Sequence, residues 1–304
     1  MIEFHGAEKA YRSLIPPRTT RALQDLTLTI AQGEVFGIAG PNGAGKTTML
    51  GLVMGFVRPT AGSVTVDGLS PRRYAEAHGV SYVSEITAIP QWWLVTGALR
   101  RYALLAGVPP ADRPARVEAA IGALGLEEQR GKRIKQLSKG NLQRVGIAQA
   151  LLRESRLMVF DEPTHGLDPV WTQRFRDVVQ RLRSPDRAIV IASHNLDELE
   201  RLTDRVAILD RGRLSRIAVA GHTESGEINT YRLVVSDDAA VVREVFAGAE
   251  RIEHAREVSY HVRGTLAELN GGLERVLQAG VQVRAFFPAR SRLEAAFREA
   301  VGES

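Results

Sequence analysis

The stretch "GPNGAGKTT", residues 40–48, constrains this chain more than any other. It follows the apolar run "VFGIAG" (35–40) and leads into the helical pattern "TMLGLVMGF" (48–56). Strand, glycine-rich turn and helix in that order match G-x-x-x-x-G-K-[ST] in the context where it cradles phosphate. The glycines let backbone N–H groups curl around phosphate oxygens, and the helix N-terminus adds partial positive charge. Lys46 can reach outer phosphates, and the Thr47 hydroxyl can ligate Mg²⁺. Gly40, Asn42, Gly43, Ala44, Gly45, Lys46, Thr47 and Thr48 are therefore the candidate phosphate-binding residues.

A phosphate loop needs carboxylates beside it. "LMVFDEP" (157–163) supplies them at the end of another apolar run. A buried strand delivers Asp161 to its C-terminal edge, where ligands bind in open α/β sheets. Asp161 would hold Mg²⁺ through water, and Glu162 would polarise an attacking water. A third apolar run, "AIVIASH" (188–194), ends on His194, which would lie beside Asp161 and could contact a γ-phosphate.

Apolar runs separated by helical segments imply a parallel sheet covered on both faces. "LTLTI" (26–30) alternates instead, as a half-buried antiparallel strand does, and "SVTVDG" (63–68) reads as a strand entering a turn. "RVAILDRGRL" (205–214) reads as a hairpin with Gly212 in its turn. Between about 86 and 154 strand signals vanish, while Val117, Ile121 and Leu124 share one helix face. This predicts a helical subdomain inserted in the sheet domain. "AGHTESGEIN" (220–229) reads as a linker. Beyond it, strands at "YRLVV", "SYHVRG" and "VQVRAFFP" alternate with helices around 238–247, 265–279 and 291–301. That is a small α+β domain, ferredoxin-like in outline.

Composition narrows the function. Of 304 residues 44% are apolar and 25% charged, ordinary for a globular chain. There are no cysteines, so disulfides and thiolate metal sites are excluded. The start "MIEFHGAEKAYRS" has no apolar core like that of a secretory signal. No apolar run approaches the roughly 18 residues that span a bilayer. The net charge of +5 is spread along the chain without an aromatic-interleaved basic block, so no nucleic-acid partner is expected.

One pentapeptide, "LSKGN" (137–141), has no catalytic group yet opens the apolar-periodic stretch "LQRVGIAQALL". Taken with "GPNGAGKTT", "YVSE" (82–85), "LMVFDE", "GLD" (166–168) and "SH" (193–194), in that chain order, it resembles the ATP-binding-cassette family, specifically the ATPase subunit of an ABC transporter. The resemblance covers about residues 1–215. It implies a P-loop ABC ATPase fold, α/β, with an antiparallel β subdomain and a helical subdomain, over residues 1–219. Residues 220–304 would form a C-terminal α+β accessory domain.

The resemblance also implies a mechanism. "LSKGN" would bind ATP held by a second copy, with two ATP molecules sandwiched head-to-tail in a dimer. Ser138 offers a hydroxyl, Gly140 a close backbone approach and the following helix its N-terminal dipole, with Asn141 completing the motif. Asp168 in "GLD" would couple the two sites, and Tyr11 in "EKAYRS" would stack on adenine. Glu162 and His194 would act in hydrolysis. Glu85 stands where the family usually has glutamine, and would still offer an oxygen to Mg²⁺ or its water. Lys139 and Asn141 depart from the commonest signature, and such K-G variants resemble exporters whose ATPase and membrane subunits are separate chains. "IPQWW" (89–93) lies where the family receives a coupling helix, and aromatic anchors suit such an interface. The implied partner is an integral membrane permease, and the implied location is the cytoplasmic face of a bacterial inner membrane.

The rival reading is a soluble cassette ATPase acting on nucleic acid or ribosomes. Such relatives carry two cassettes, long coiled coils or cysteine zinc sites, none of which this sequence has. A non-hydrolytic binding module is disfavoured by Asp161, Glu162 and His194.

Overall fold

In a computed structural model of the protein, described for residues 1–14, 17–219, 228–236, 240–254, 257–289 and 292–301, the chain divides into two compact units. One is Met1–Ala220 with Ala296–Ser304; the other is Gly221–Ala295.

The first unit begins with long strands β1 (Ile2–Leu14) and β2 (Pro17–Ile30), then β3 (Val35–Ala39), α1 (Lys46–Val53), β4 (Ala61–Val66), α2 (Pro71–His78) and β5 (Ser81–Val83). The helical stretch follows: α3 (Val95–Leu105), α4 (Arg113–Ala123) and α5 (Lys139–Ala150). The sheet domain then resumes with β6 (Leu157–Asp161), α6 (Pro169–Leu182), β7 (Ala188–Ala192), α7 (Leu196–Leu202), β8 (Arg205–Asp210) and β9 (Arg213–Val219).

Two sheets result. One is antiparallel, order β2-β1-β4; the other is six-stranded, order β5-β6-β7-β3-β8-β9, parallel except at β9. β3, β6 and β7 are buried at every position, as their unbroken apolar runs require. Leu26, Leu28 and Ile30 on β2 pack in one core with Phe36, Ile38 and Val190 of the large sheet. Met49, Leu50, Leu52 and Val53 of α1 lie in that same core. This anchors α1 and aims its N-terminus at the C-terminal edge of the parallel strands.

The predicted β2 segment 26–30 is only the end of a longer strand, and β1 was not foreseen. The pairing of β1 with β2 shifts register three times between Phe4 and Ala10, beside Gly6 at φ 54° and Asp25 at φ 48°. Each bulge inserts a residue and scrambles the period-two pattern on which strand reading depends. The β8–β9 hairpin turns at Arg211 and Gly212, both at positive φ. Val117, Ile121 and Leu124 are buried together. Among the described residues no helix is long and apolar enough to cross a membrane.

The second unit holds β10 (Asn229–Val235), α8 (Ala240–Val245), β11 (Glu250–His254), β12 (Glu257–Gly264), α9 (Leu266–Gln278) and β13 (Val283–Pro288), before the last helix α10 (Arg292–Val301). Its antiparallel sheet has order β11-β12-β10-β13, the split βαβ arrangement of ferredoxin-like domains. Leu233, Val235, Tyr260 and Val262 pack against Val242, Phe246, Leu269 and Val276. β11 was not foreseen, because "ERIEH" carries a single apolar residue and sits at a sheet edge. Residues 220–227 of the expected linker lie outside the described residues, and Asn229 already begins β10.

Candidate active site

β3 leads into the glycine turn, and α1 starts at Lys46 with no side-chain cap on its first turn. Its leading N–H groups are therefore offered to a ligand. Gly45 stands at φ 108°, and a Cβ there would meet the Ala22 carbonyl oxygen at 2.5 Å. Only glycine fits both constraints. The hairpin turn braces the loop: the Gly212 N–H donates to the Ala44 carbonyl at 3.0 Å, and the Gly212 carbonyl accepts from Gln24 N–H at 2.8 Å. Lys46 is buried and its Nζ donates to the Gly40 carbonyl at 2.7 Å.

These elements open a cleft of about 740 Å³. Asn42, Gly43, Gly45, Lys46, Thr47 and Thr48 line one side, and Glu85, Asp161, Glu162 and His194 the other. Strands β6 and β7 pair in register with Asp161 opposite Ala192, which sets His194 beside the two acids. Glu162 adopts φ 48°, costly for a residue with a Cβ. Its carboxylate accepts from the His194 backbone N–H at 2.9 Å and the Ser193 hydroxyl at 3.2 Å, contacts that hold it in place.

Asp161 is buried and accepts from the Thr47 hydroxyl at 3.2 Å. Burial pushes its carboxyl up to about 6, with Glu162 and Glu85 adding to the rise while Thr47 and Lys46 oppose it. Among the described residues no group of three or more acidic or imidazole side chains forms a closed metal cage. A hydroxyl and a carboxylate in contact, with a second carboxylate at the same cleft, instead suit Mg²⁺ held jointly by protein and phosphate. A cation there would offset the cost of holding the buried Asp161 carboxylate ionised.

Other predicted residues sit elsewhere. Gly40 and Ala44 shape the loop without lining the cleft, and Ala44 is buried in the core. Tyr11 is 43% exposed and pairs across β1–β2 with Thr20, which does line the cleft; Lys9 Nζ lies 5.2 Å over its ring. Ser138 caps α5 by accepting from the Asn141 N–H at 3.2 Å. A Cβ on Gly140 would come 2.9 Å from the Gly166 carbonyl, so the pentapeptide abuts the "GLD" turn. Asp168 caps α6 by accepting from the Trp171 N–H at 2.9 Å. None of Ser138, Gly140, Asn141 or Asp168 lines the cleft.

The sequence reading missed Thr20, Arg21, Ala22 and His165, all of which line the cleft. The first three lie on β2 at and just before its bulge beside Ala22, where no periodicity marked a strand. It also missed Gln143, buried on α5, which accepts from the Thr87 hydroxyl at 3.0 Å and donates to the Pro163 carbonyl at 3.1 Å. Gln143 thereby ties the segment after Glu85 to the segment after Glu162.

Comparison with known proteins now decides the family. The family model described as ABC transporter matches residues 23–165. The chain is 33% identical over 211 residues to the uncharacterized ABC transporter ATP-binding protein YhcH of Bacillus subtilis, covering 69% of this chain and 68% of that one. The chain belongs to the ABC transporter family. Its cassette is the ATP-binding ATPase of such a transporter. It is also 34% identical over 219 residues to the methionine import ATP-binding protein MetN of Thermobifida fusca, covering 70% and 68% of the two chains. The matches span 64% to 68% of the length of the first relatives. In fold it resembles the ATP-binding cassette MJ0796, solved as a dimer bound to ADP and phosphate, with TM-score 0.66 at 22% identity over 73% of this chain and 100% of that one.

Proposed function

We propose that this ATPase works as a head-to-tail pair of cassettes that powers a separate membrane permease. The observation that carries the reading is spatial. The cleft holds the phosphate loop, both acids and His194, while Ser138, Gly140 and Asn141 stand outside it at the uncovered start of α5. A motif suited to phosphate that does not line the cleft of its own phosphate loop fits a site completed by another copy.

In this reading Asn42, Gly43, Gly45, Lys46 and Thr48 hold the phosphates of ATP, with Gly40 and Ala44 shaping the loop, and Tyr11 faces adenine. Thr47, Asp161 and Glu85 would hold Mg²⁺, which when bound neutralises phosphate charge. Glu162, fixed by Ser193 and His194, orients the attacking water and accepts its proton. His194 faces the γ-phosphate. The partner's Ser138, Gly140 and Asn141 close over that phosphate, and Asp168 links the two sites.

The membrane subunit would dock beside "IPQWW", where Trp92 is 71% exposed and Trp93 packs under Arg101 at 4.7 Å. The protein would then sit at the cytoplasmic face of a bacterial membrane. The K-G signature and the C-terminal α+β unit favour export. A relative named as a methionine importer is 34% identical over the cassette, so the residues shared with it do not by themselves distinguish export from import.

A mixing experiment tests the paired site. Ser138→Arg places a bulky cation where the other copy's γ-phosphate belongs, and Lys46→Ala disables its own loop. Each is expected to be inactive alone. Their mixture pairs an intact loop with an intact pentapeptide and should recover some ATPase activity, provided one competent site can turn over alone. Wild-type turnover by a strictly monomeric Ser138→Arg protein would sink the reading.

A further inference from the structure

We propose that Trp171 and Arg144 clamp the "LSKGN" turn to the start of α6, and so act as positioning residues for the half-site offered to the second copy. The proposal rests on the paired reading above.

Arg144 lies one helical turn beyond Asn141 on α5 and is only 6% exposed. All three nitrogens of its head are committed. Nε donates to the Leu124 carbonyl at 2.8 Å, Nη2 donates to the Gly125 carbonyl, and Nη1 donates to Asn141 Oδ1 at 2.7 Å. Its orientation is therefore fixed by the turn that follows α4, and Asn141 is held by it in turn. The guanidinium carbon stands 3.3 Å from the centre of the Trp171 ring, a stacking distance, and Arg174 sits on the same ring at 4.5 Å.

Trp171 is in the first turn of α6. Its N–H is the one that Asp168 caps, at 2.9 Å. Its ring presses on Gly125, where a Cβ would come within 2.4 Å of it at a backbone φ of 52°. A physical chain thus runs from Asp168 through Trp171 and Arg144 to Asn141, and on through the Asn141 N–H to Ser138. The contact of Gly140 with Gly166 runs beside it. The turn carrying Asp168 and the turn carrying Ser138 are one braced piece, presented together to the partner's nucleotide.

A residue that merely held the fold would damage both halves of a composite site. A clamp on the offered half damages one, and mixing variants tells these apart. Trp171→Ala in the full chain should bind a fluorescent ATP analogue with Mg²⁺ at its own loop as wild type does, yet lose ATPase activity by at least about tenfold. Mixed with Lys46→Ala it should recover activity, since its own loop is intact. Mixed with Ser138→Arg it should not, since both copies then offer a defective pentapeptide. Trp171→Phe keeps a π face and should retain most turnover. Trp171→Leu fills the space without that face, and carries the same mixing test if the alanine variant does not fold.

Recovery with Ser138→Arg but not with Lys46→Ala would place the defect in the chain's own loop and overturn the proposal. So would wild-type turnover by both Trp171→Ala and Trp171→Leu. Wild-type turnover by a strictly monomeric Ser138→Arg protein would overturn the paired reading itself, a result distinguishable from failure of the clamp.

Discussion

Glu162 and His194 are joined at two points: the carboxylate accepts the His194 backbone N–H at 2.9 Å, and the ring Nδ1 lies 2.8 Å from its other oxygen. The imidazole is thereby held against the carboxylate where both line the cleft. Glu162→Gln should therefore lower turnover by at least about 100-fold, the scale of a lost general base. ATP affinity should stay close to wild type, because the phosphate loop is untouched. Single-turnover hydrolysis and nucleotide titration together check this, and near-wild-type hydrolysis would remove Glu162 from the role.

Lys46 differs in kind, since in the proposed reading it would meet the nucleotide before any chemistry occurs. Its ammonium already spans the loop to the Gly40 and Pro41 carbonyls at 2.7 and 3.4 Å. Lys46→Ala removes a charge-assisted contact of about 1.5–3 kcal/mol, so ATP should bind roughly 10- to 100-fold more weakly. An unchanged dissociation constant by titration would contradict the phosphate-loop assignment.

Glu85→Gln keeps an oxygen of the same reach in the cleft and removes one of the charges that burden Asp161. Steady-state ATPase activity should fall by less than about tenfold, that is by less than about 1.4 kcal/mol of barrier. Complete loss in a folded variant would show that the negative charge itself is required.

Asp161→Asn should separate stability from function. A carboxyl whose folded pKa lies above its ordinary value destabilises the fold once pH exceeds that value. The penalty is absent below about pH 4 and complete above about pH 6. At pH 7.5 the asparagine variant, still able to accept from Thr47, should gain on the order of 1–3 kcal/mol without nucleotide. Its Tm should rise by several degrees, and the further rise on adding ATP with Mg²⁺ should shrink. Thermal melts in both conditions check this. A nucleotide-free Tm equal to or below that of wild type would count against the penalty that burial, with the nearby acids, places on the Asp161 carboxylate.

The amino-acid sequence by itself determined which loop and which strand ends reach the cleft. The glycines, Lys46 and Thr47 sit within nine consecutive residues, and apolar runs announce the strands that deliver Asp161, Glu162 and His194, so period and spacing were enough. The α+β unit was legible for the same reason, except at β11, whose edge position demands no apolar run. Tertiary structure alone decided what lies between distant segments. The bulges of β1 and β2 break the alternation between "LTLTI" and the earlier part of β2, so Thr20, Arg21 and Ala22 reach the cleft unannounced. Gln143 joins Thr87 to Pro163, and Arg144 stacks on Trp171, across separations at which no periodicity operates. That Ser138, Gly140 and Asn141 do not line the cleft was likewise set by packing, because α5 belongs to the helical subdomain while the phosphate loop belongs to the sheet.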